Sequence, residues 1–235
     1  MIQNNIVALV VTFLIALIWL RSINFLAHKK LIGSSLSRKI IHAGTGFVFV
    51  LSWLLFDGDL INRFLAALVP FAITLQFVLV GTGVIKDPSS VESMSRTGDR
   101  REILRGPLYY GIAFILLTIF FWKDNPIGIV GLMLLCGGDG LADIFGNRIA
   151  SRKLPWSPKK SLAGSLAMFI GGLGFSLIVL YIYTSMGYFG GTLGAYTIPV
   201  ILISIVATFV ESIPLDDLDN LTIPAVAVIL GMFLL

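Results

Sequence analysis

Hydrophobic and polar positions along this chain fall into long blocks. Eight apolar segments of about 15 to 25 residues are separated by short polar loops. Segments of this length are typical of helices that cross a hydrocarbon core of about 30 Å, whereas a membrane β-barrel shows segments of about ten residues with alternating hydrophobicity. The pattern predicts an all-α, polytopic transmembrane helical bundle with about seven to eight spans. We place the spans at residues 5–20, 42–56, 60–80, 106–122, 127–147, 162–184, 195–211 and 221–235.

Composition supports the same class of protein. Hydrophobic residues make up 57% of the 235 residues, charged residues make up 13%, and the mean hydropathy is +0.94. These values exclude an ordinary soluble globular domain. Because no internal repeat, linker or low-complexity tract is present, we predict one integral membrane domain over residues 1–235. The lipid bilayer is its first predicted partner, and no nucleic-acid partner is expected.

The first apolar segment is predicted to be a retained span. No basic region precedes it and no small-residue cleavage site follows it before Arg21, so it does not have the pattern of a signal peptide. No Ser- and Arg-rich transit peptide precedes it, which favours a prokaryotic protein or an already processed organellar one. The single cysteine, Cys136, lies in an apolar run and is expected to be a small buried thiol.

Basic residues concentrate in alternate loops. The first, third and fifth loops hold five Lys or Arg each, and the other two of the 17, Arg63 and Lys123, fall in the second and fourth loops. By the positive-inside rule, the odd-numbered loops face the cytoplasm and both termini lie outside. Most acidic residues lie at the same predicted face. The sequence therefore predicts chemistry at the cytoplasmic surface of the membrane.

Asp139 and Asp143 are the first candidates for that chemistry. They lie four residues apart in the fifth span, so they share a helix face and repel each other unless a cation lies between them. Carboxylates at membrane depth are costly and usually functional, and we predict that both bind Mg²⁺. The structural alternative is pairing with Arg148 or Arg152. The flanking glycines that leave room for a ligand are Gly137, Gly138, Gly140 and Gly146.

A basic and small-residue cluster follows at the start of the sixth span. Ser161 is the predicted N-cap of that span. A helix N-terminus with small residues such as Gly164 and Ser165, next to Lys159 and Lys160, predicts a phosphate site. The alternative is that the two lysines only anchor the span at the lipid headgroups.

Several common catalytic motifs are missing from the sequence. It contains no G-x-x-x-x-G-K-[ST], no protein-kinase glycine loop, no G-x-S-x-G, no H-E-x-x-H and no cysteine pair. Serine hydrolase, zinc protease and thiol chemistry therefore have no support. An enzyme that handles phosphate groups here must use another architecture.

Four blocks of the chain carry a family resemblance. They are RKIIHAGTG from Arg38, REILRGPLYYG from Arg101, GDGLADIFGNRIASRKLPWSPKKSLAGSLAMF from Gly138, and VESIPLDDLDNLTIP from Val210. On these blocks the chain resembles phytol kinases, within the CTP-dependent polyprenol and dolichol kinases. The resemblance implies transfer of the γ-phosphoryl group of CTP to the primary hydroxyl of phytol or a similar alcohol such as geranylgeraniol, with CDP as by-product. In that family the reaction salvages phytol from chlorophyll for tocopherol synthesis.

The reaction implied by the resemblance suggests a role for each candidate. Asp139 and Asp143 would hold Mg²⁺ against the phosphates, Lys160 would contact phosphate oxygens, and Glu211 or Asp219 would complete the metal shell or accept the alcohol proton. The predicted catalytic residues are Asp139, Asp143, Lys160, Glu211 and Asp219. The predicted nucleotide-binding or phosphate-binding residues are Arg38, Lys39, His42, Ser161, Gly164, Ser165 and Asn220. Glu102 and Arg105 are further candidates from the family blocks, whereas Asp216 and Asp217 are expected to be solvated loop residues.

Other classes of protein stay open at this point. A CDP-diacylglycerol synthase also uses CTP, two aspartates and a lysine at a membrane surface, but it releases pyrophosphate. A CDP-alcohol phosphotransferase needs an arginine after Ala142 and two later aspartates on the same helix, whereas Asp143 follows Ala142 here. A membrane transporter is the non-enzyme alternative. The concentration of charge at one predicted face argues against a transport path.

Overall fold

A computed structural model describes residues 4–215 and 217–235, except for the side chains of Ser34, Ser35 and Ser93. Helices account for 76% of the chain, which confirms the all-α prediction. The helices are α1 (Asn5–His28), α2 (Ser34–Ser52), α3 (Asn62–Thr82), α4 (Pro88–Met94), α5 (Gly106–Phe120), α6 (Pro126–Met133), α7 (Gly140–Arg148), α8 (Leu162–Ser185), α9 (Leu193–Glu211) and α10 (Asp219–Leu234). A π-helical segment, Leu134–Asp139, joins α6 to α7, and 3₁₀ turns cover Trp53–Leu55 and Arg100–Leu104.

Six helical segments of the described chain are long and apolar enough to cross a membrane, and α10 is a shorter apolar helix. The helix α2 is less apolar, because polar residues occupy its first turns. It nevertheless runs through the bundle, since its Val50 carbonyl accepts a hydrogen bond from Tyr183 near the end of α8 at 2.6 Å. These helices form the predicted polytopic bundle.

The structure corrects two predicted span boundaries. The first helix continues past residue 20 to His28, and the second begins at Ser34 rather than at residue 42. Hydropathy marks only the residues that suit lipid, whereas helix propagation into a polar region costs little once the helix has formed. Arg38 and Lys39 therefore lie on α2 and not in a loop.

One end of the bundle collects the loops that follow α1, α3, α7 and α9. The Arg38 guanidinium donates to the Ser95 carbonyl at 3.0 Å, and Arg96 pairs with Asp217 at 3.0 Å. Trp156, between the strands of a short hairpin, donates its indole N–H to Ser212 Oγ at 3.1 Å. We call this end the charged face. The shared face of alternate loops agrees with the sequence pattern, and its cytoplasmic orientation stays a prediction.

The opposite end of the bundle holds the other loops. Lys123 is buried there, and its ammonium donates to the Phe56 carbonyl at 2.6 Å and lies 5.1 Å from the Tyr188 ring centroid. Burial lowers the pKa of the Lys123 ammonium below its usual value, although the charge of Asp57 opposes this effect. Asp57 in turn accepts from the Asn5 side chain at 2.6 Å, which fixes the start of α1 at this end.

Close helix packing, rather than ligand space, explains the glycines of the fifth span. A Cβ atom at Gly140 would lie 2.7 Å from Ala43 Cβ on α2, and one at Gly146 would lie 3.2 Å from Gly164 Cα on α8. Cβ atoms at Gly137 and Gly138 would likewise overlap α8 side chains. The predicted room for a ligand at these glycines is therefore wrong. Because these four glycines have no side chains, α2 and α8 can instead pack closely against α7 and the π-helical segment.

Candidate active site

The π-helical segment places the first carboxylate. It ends at Asp139, and α7 begins at the next residue. A π-bulge inserts an extra residue into a helical turn and often marks a functional site. The Asp139 side chain is only 17% exposed, whereas Asp143, one turn further along α7, is 57% exposed. One of the two predicted metal ligands thus lies inside the bundle and the other lies at its surface.

Both aspartates pair with residues of α2. The Lys39 ammonium forms an ion pair with Asp143, and His42 Nε2 lies 3.3 Å from Asp139 Oδ2. The same His42 nitrogen lies 3.3 Å from the Leu135 carbonyl in the π-helical segment. The structural alternative of pairing with Arg148 or Arg152 is therefore wrong about the partners. The structure brings Asp139, Asp143, Lys39 and His42 together, as the sequence blocks suggested.

Lys160 forms the second part of the site. It lies on an antiparallel hairpin of β1 (Lys153–Leu154) and β2 (Ser157–Ser161), which hydropathy did not predict. Its ammonium pairs with Glu211, the last residue of α9, and lies 3.7 Å from Asp219, the first residue of α10. The Glu211 side chain is 3% exposed. The charged face therefore places the half-buried Lys160 ammonium between carboxylates from two helix ends.

The electrostatic surroundings of Lys160 favour its charged form. Burial opposes ionisation, but the nearby charges of Glu211, Asp139 and Asp219 together with the hydrogen bond to Glu211 raise the pKa of the ammonium above its usual value. The interaction with Asp139 links the hairpin to the α2–α7 part of the site. Lys160 is therefore positively charged at physiological pH and can contact phosphate oxygens.

Among the residues that the structure describes, one carboxylate oxygen and one amide oxygen of the site are buried without a hydrogen-bond donor. They are Glu211 Oε2 and Asn220 Oδ1. A buried acceptor without a partner costs about 1–3 kcal/mol, so such atoms usually have a ligand, an ion or water as partner. The Asn220 side-chain amide is held in place, because its Nδ2 donates to the Asp217 carbonyl at 3.2 Å. These oxygens point to a ligand that supplies positive charge or donors.

The start of α8 differs from the predicted phosphate site in one respect. Ser161 is the N-cap, as predicted, and its hydroxyl accepts from the Gly164 N–H at 3.3 Å. The N–H groups of Leu162 and Ala163 donate to Arg152 O at 3.0 Å and Ser151 Oγ at 3.1 Å. The first backbone N–H groups of the helix are therefore not available to phosphate. The Ser165 hydroxyl is buried without a partner and stays a candidate.

Three predicted residues lie beside the cluster of Asp139, Lys160 and Glu211. Arg38 contacts the Ser95 carbonyl rather than the carboxylates. Glu102 accepts from the Arg96 N–H and from the Thr97 hydroxyl, which folds the loop before α5. Arg105 precedes Gly106, where a Cβ atom would lie 3.3 Å from Asp217 Oδ1. Arg38 and Glu102 therefore hold the loop that carries Ser95, and Arg105 precedes the residue that approaches Asp217.

Sequence reasoning missed two residues of the charged face. Asp217 was expected to be solvated, but it pairs with Arg96 and its side chain is 21% exposed. The Tyr110 ring packs against the His42 ring in a tilted arrangement with centroids 4.4 Å apart, and its hydroxyl donates to the His42 carbonyl at 2.9 Å. The family block around Gly106 contains Tyr110 and offered the only signal. Asp216 lies outside the described residues.

The donor set of this face fits Mg²⁺ delivered with a nucleotide. Asp139, Asp143, Glu211 and Asp219 outnumber the lysines that pair with them, and all supply the hard oxygen ligands that Mg²⁺ prefers. No group of three His, Cys, Asp or Glu in the described chain is placed to hold a metal alone. Because Mg²⁺ usually binds one or two carboxylates plus substrate phosphates, a complete protein cage is not required.

Fold and charged face together define an integral membrane protein with a charged cluster where several helices end. The chain is 40% identical to phytol kinase 1 of Arabidopsis thaliana over 91% of this chain and 70% of that protein. It is 42% identical to a probable phytol kinase of Triticum aestivum over 92% of this chain and 72% of that protein, and 37% identical to the farnesol kinase of Arabidopsis thaliana over 99% and 76%. The chain therefore belongs to the family of phytol and farnesol kinases, and it is a kinase that acts on an alcohol. No family model and no solved structure matches it.

Proposed function

We propose that this protein transfers the γ-phosphoryl group of CTP to the primary hydroxyl of an isoprenoid alcohol and releases CDP. The relatives named phytol kinase and farnesol kinase support the acceptor class. The observation that carries the proposal is the pairing of Lys160 with buried Glu211 at the charged face. Phosphoryl transfer needs mainly positioning and neutralisation of charge, and this face offers both.

Lys160 would contact the phosphate oxygens of the nucleotide. When a triphosphate enters, its oxygens compete with Glu211 and Asp219 for the ammonium, and the released carboxylates are then free for Mg²⁺. Asp139 and Glu211 Oε2, which has no hydrogen-bond donor among the described residues, would each offer one oxygen ligand to this ion, and the nucleotide phosphates would supply others. The ion would supply neutralisation of the charge on the phosphates.

The remaining candidates would shape the nucleotide pocket. Tyr110 contacts His42 through a tilted ring pair and through the hydrogen bond to the His42 carbonyl, and these contacts would hold the His42 ring toward Asp139. The Lys39 side chain is 10% exposed. Its ammonium, which pairs with Asp143 here, would pair with a phosphate oxygen when the nucleotide binds. A strong base is not required for the alcohol when the transition state is loose.

The proposed location of the protein in an organellar or prokaryotic membrane is inferred from the names of its relatives and from its apolar helices. The relatives are named chloroplastic, and the six apolar helices support an integral membrane protein. We infer that the charged face lies on the side of an organellar or prokaryotic membrane that contains CTP. Phytol released from chlorophyll, for tocopherol synthesis, is the acceptor supply that the resemblance implies.

The test is an assay of purified protein in detergent with Mg²⁺. Radiolabelled CTP or ATP is offered with phytol, geranylgeraniol, farnesol, dolichol or diacylglycerol, and the products are separated. We expect an alkyl monophosphate and CDP from CTP with phytol or farnesol, and poor use of ATP. Equal use of ATP would contradict the donor, and pyrophosphate with a CDP-lipid would assign the protein to the cytidylyltransferases.

A further inference from the structure

We propose that an apolar cleft between α1 and α2 binds the isoprenoid chain of the alcohol substrate. The proposal rests on the proposed function and adds a location for the part of the substrate that does not react. We call it the α1–α2 cleft. Its principal lining residues are Thr12, Ala16 and Trp19 of α1, Thr45 and Ser52 of α2, and Ile73 of α3.

The chemistry of the α1–α2 cleft suits a hydrocarbon chain. It is partly open to the outside of the bundle, and its walls are almost entirely apolar. The hydroxyls of Thr12 and Ser52 donate to Ala8 O at 2.8 Å and Phe49 O at 2.6 Å. Because these hydroxyls are satisfied by carbonyls of their own helices, the cleft offers few partners to a polar ligand.

A chain of aromatic rings joins the cleft to the charged face. The His42 and Tyr110 ring centroids lie 4.4 Å apart, and those of Tyr110 and Phe114 lie 4.5 Å apart. Phe114 lines the α1–α2 cleft and lies 5.7 Å from Phe49, which lines it as well. The Tyr110 ring thus connects the cleft to His42, which pairs with Asp139.

The two ends of the cleft can be told apart. Trp19 packs against α2 at Gly44, where a Cβ atom would overlap the indole ring, so Trp19 marks the end near His42. At the other end of the cleft lie Thr12, seven residues before Trp19 on α1, and Ser52, seven residues after Thr45 on α2. Seven residues of helix span about 10 Å. The Trp19 indole N–H is buried without an acceptor, and an alcohol oxygen at this end would supply one. The hydroxyl therefore lies toward His42 and the chain extends toward Ser52.

A second apolar cleft provides an internal comparison. It lies between α1 and α3, and its lining residues include Leu9, Phe13, Leu68 and Ala72. No residue of α2 lines it, so it has no connection to His42 through the described contacts. We expect this second cleft to accommodate bilayer lipid and to have no influence on the choice of alcohol.

The experiment narrows, widens and spares the α1–α2 cleft in three variants. Ala16→Leu narrows the α1–α2 cleft and Ile73→Ala widens it. Ala72→Leu is the control, because it narrows the second cleft by the same substitution and leaves the α1–α2 cleft unchanged. The measured quantity is kcat/KM for geraniol, farnesol, geranylgeraniol and phytol, which carry ten, fifteen, twenty and twenty carbons along the chain and its methyl branches. Each methylene that loses its burial weakens binding about fourfold.

We expect Ala16→Leu to lower the ratio of kcat/KM for geranylgeraniol to that for geraniol about tenfold or more, mainly through KM. Ile73→Ala should raise this ratio above the wild-type value, and Ala72→Leu should match the wild type. If the wild type phosphorylates these alcohols and Ala16→Leu leaves the ratio unchanged, or if Ala72→Leu changes it instead, the cleft is wrong and the proposed function stands. If the wild type phosphorylates none of them, the proposed function itself fails. Thermal melting of each variant in detergent identifies a folding defect. If Ala16→Leu does not fold, a raised ratio in Ile73→Ala supports the cleft and an unchanged ratio contradicts it.

Discussion

Lys160 and Glu211 are 51 residues apart in the sequence, yet they form one ion pair at the charged face. The pair joins the hairpin before α8 to the last residue of α9. Removing one partner of a buried pair leaves the other charge uncompensated, so the two residues depend on each other energetically. The same pair occupies the place where we propose that nucleotide phosphates bind.

Replacing Glu211 by Gln is expected to reduce both activity and stability. The amide keeps the shape of the side chain but removes its charge, so Asp219, at 3.7 Å, is then the carboxylate among the described residues that stays close to Lys160. We expect a loss of about 1–3 kcal/mol in unfolding free energy and a fall of about 10²-fold in phytol phosphorylation per folded molecule. The measurements are thermal melting in detergent and initial rates at saturating CTP.

Asp59→Asn is the matched control for Glu211→Gln. Asp59 is exposed at the opposite end of the bundle, where it accepts from the Ile61 N–H at 3.1 Å. This variant should keep normal activity. If Glu211→Gln were as active as Asp59→Asn, the role of Glu211 in the site would be excluded.

The two aspartates of the fifth span should differ in their sensitivity to substitution. Asp139 is largely buried beside His42, whereas Asp143 is 57% exposed and pairs with Lys39. Asp139→Asn should lower turnover about 10²-fold or more, because interactions with developing charge are strongest in a dry site. We expect Asp143→Asn to lose less turnover but to need more CTP and Mg²⁺ for half-maximal rate.

The control for these aspartates cannot be Asp217, although its sequence context indicated a solvated loop. Asp217→Asn would break the pair with Arg96 and loosen the loop that contains Glu102. A titration of Mg²⁺ and CTP for both variants, with melting temperatures, separates the roles. Active Asp139→Asn protein at saturating CTP and Mg²⁺ would contradict the proposed site.

The sequence predicted the bundle well because membrane spans are defined by long apolar runs. It also identified Ser161 as a cap and Cys136 as a buried thiol, and the structure confirms both. Hydropathy underestimated α2, because Arg38, Lys39 and His42 lower its apolar character although it runs through the bundle. The signal that sets a span apart from a loop is weakest where site residues replace apolar ones.

The partners of each charge were beyond sequence reasoning. The spacing of Asp139 and Asp143 predicts a shared helix face, but it gives no information about which helix packs there. Contact between Gly140 and Ala43 brings α2 close, and this long-range packing selects Lys39 and His42 over Arg148 and Arg152. The hairpin that positions Lys160 is too short and polar to leave a hydrophobic pattern.

The raised pKa of Lys160 predicts a pH dependence of stability. A lysine whose pKa is higher in the folded protein contributes stability that is complete below the unfolded value of 10.5 and is lost as pH rises through the folded pKa. We therefore expect the difference in melting temperature between the wild type and Lys160→Met to be constant from about pH 7 to 9.5 and to shrink above about pH 10.5. If the difference in melting temperature is already lost as pH rises from 7 to 9, the ammonium is not held in its charged form.

Cysteine labelling tests the orientation of the charged face. Ser95 and Ser157 are buried at 6% and 0% exposure and so are poor labelling positions. Arg101 and Arg152 are exposed at the charged face, and Ser185 is exposed at the end of α8 on the opposite side.

In a Cys136→Ser background that retains activity, single cysteines at the two arginine positions should react with a membrane-impermeant maleimide only from the side that contains CTP. A cysteine at the serine position should react only from the other side, because the positive-inside rule places the arginine-rich loops together. Labelling Arg101→Cys and Arg152→Cys from opposite sides would separate the loops that the site requires on one face, and the single-face site would then be wrong.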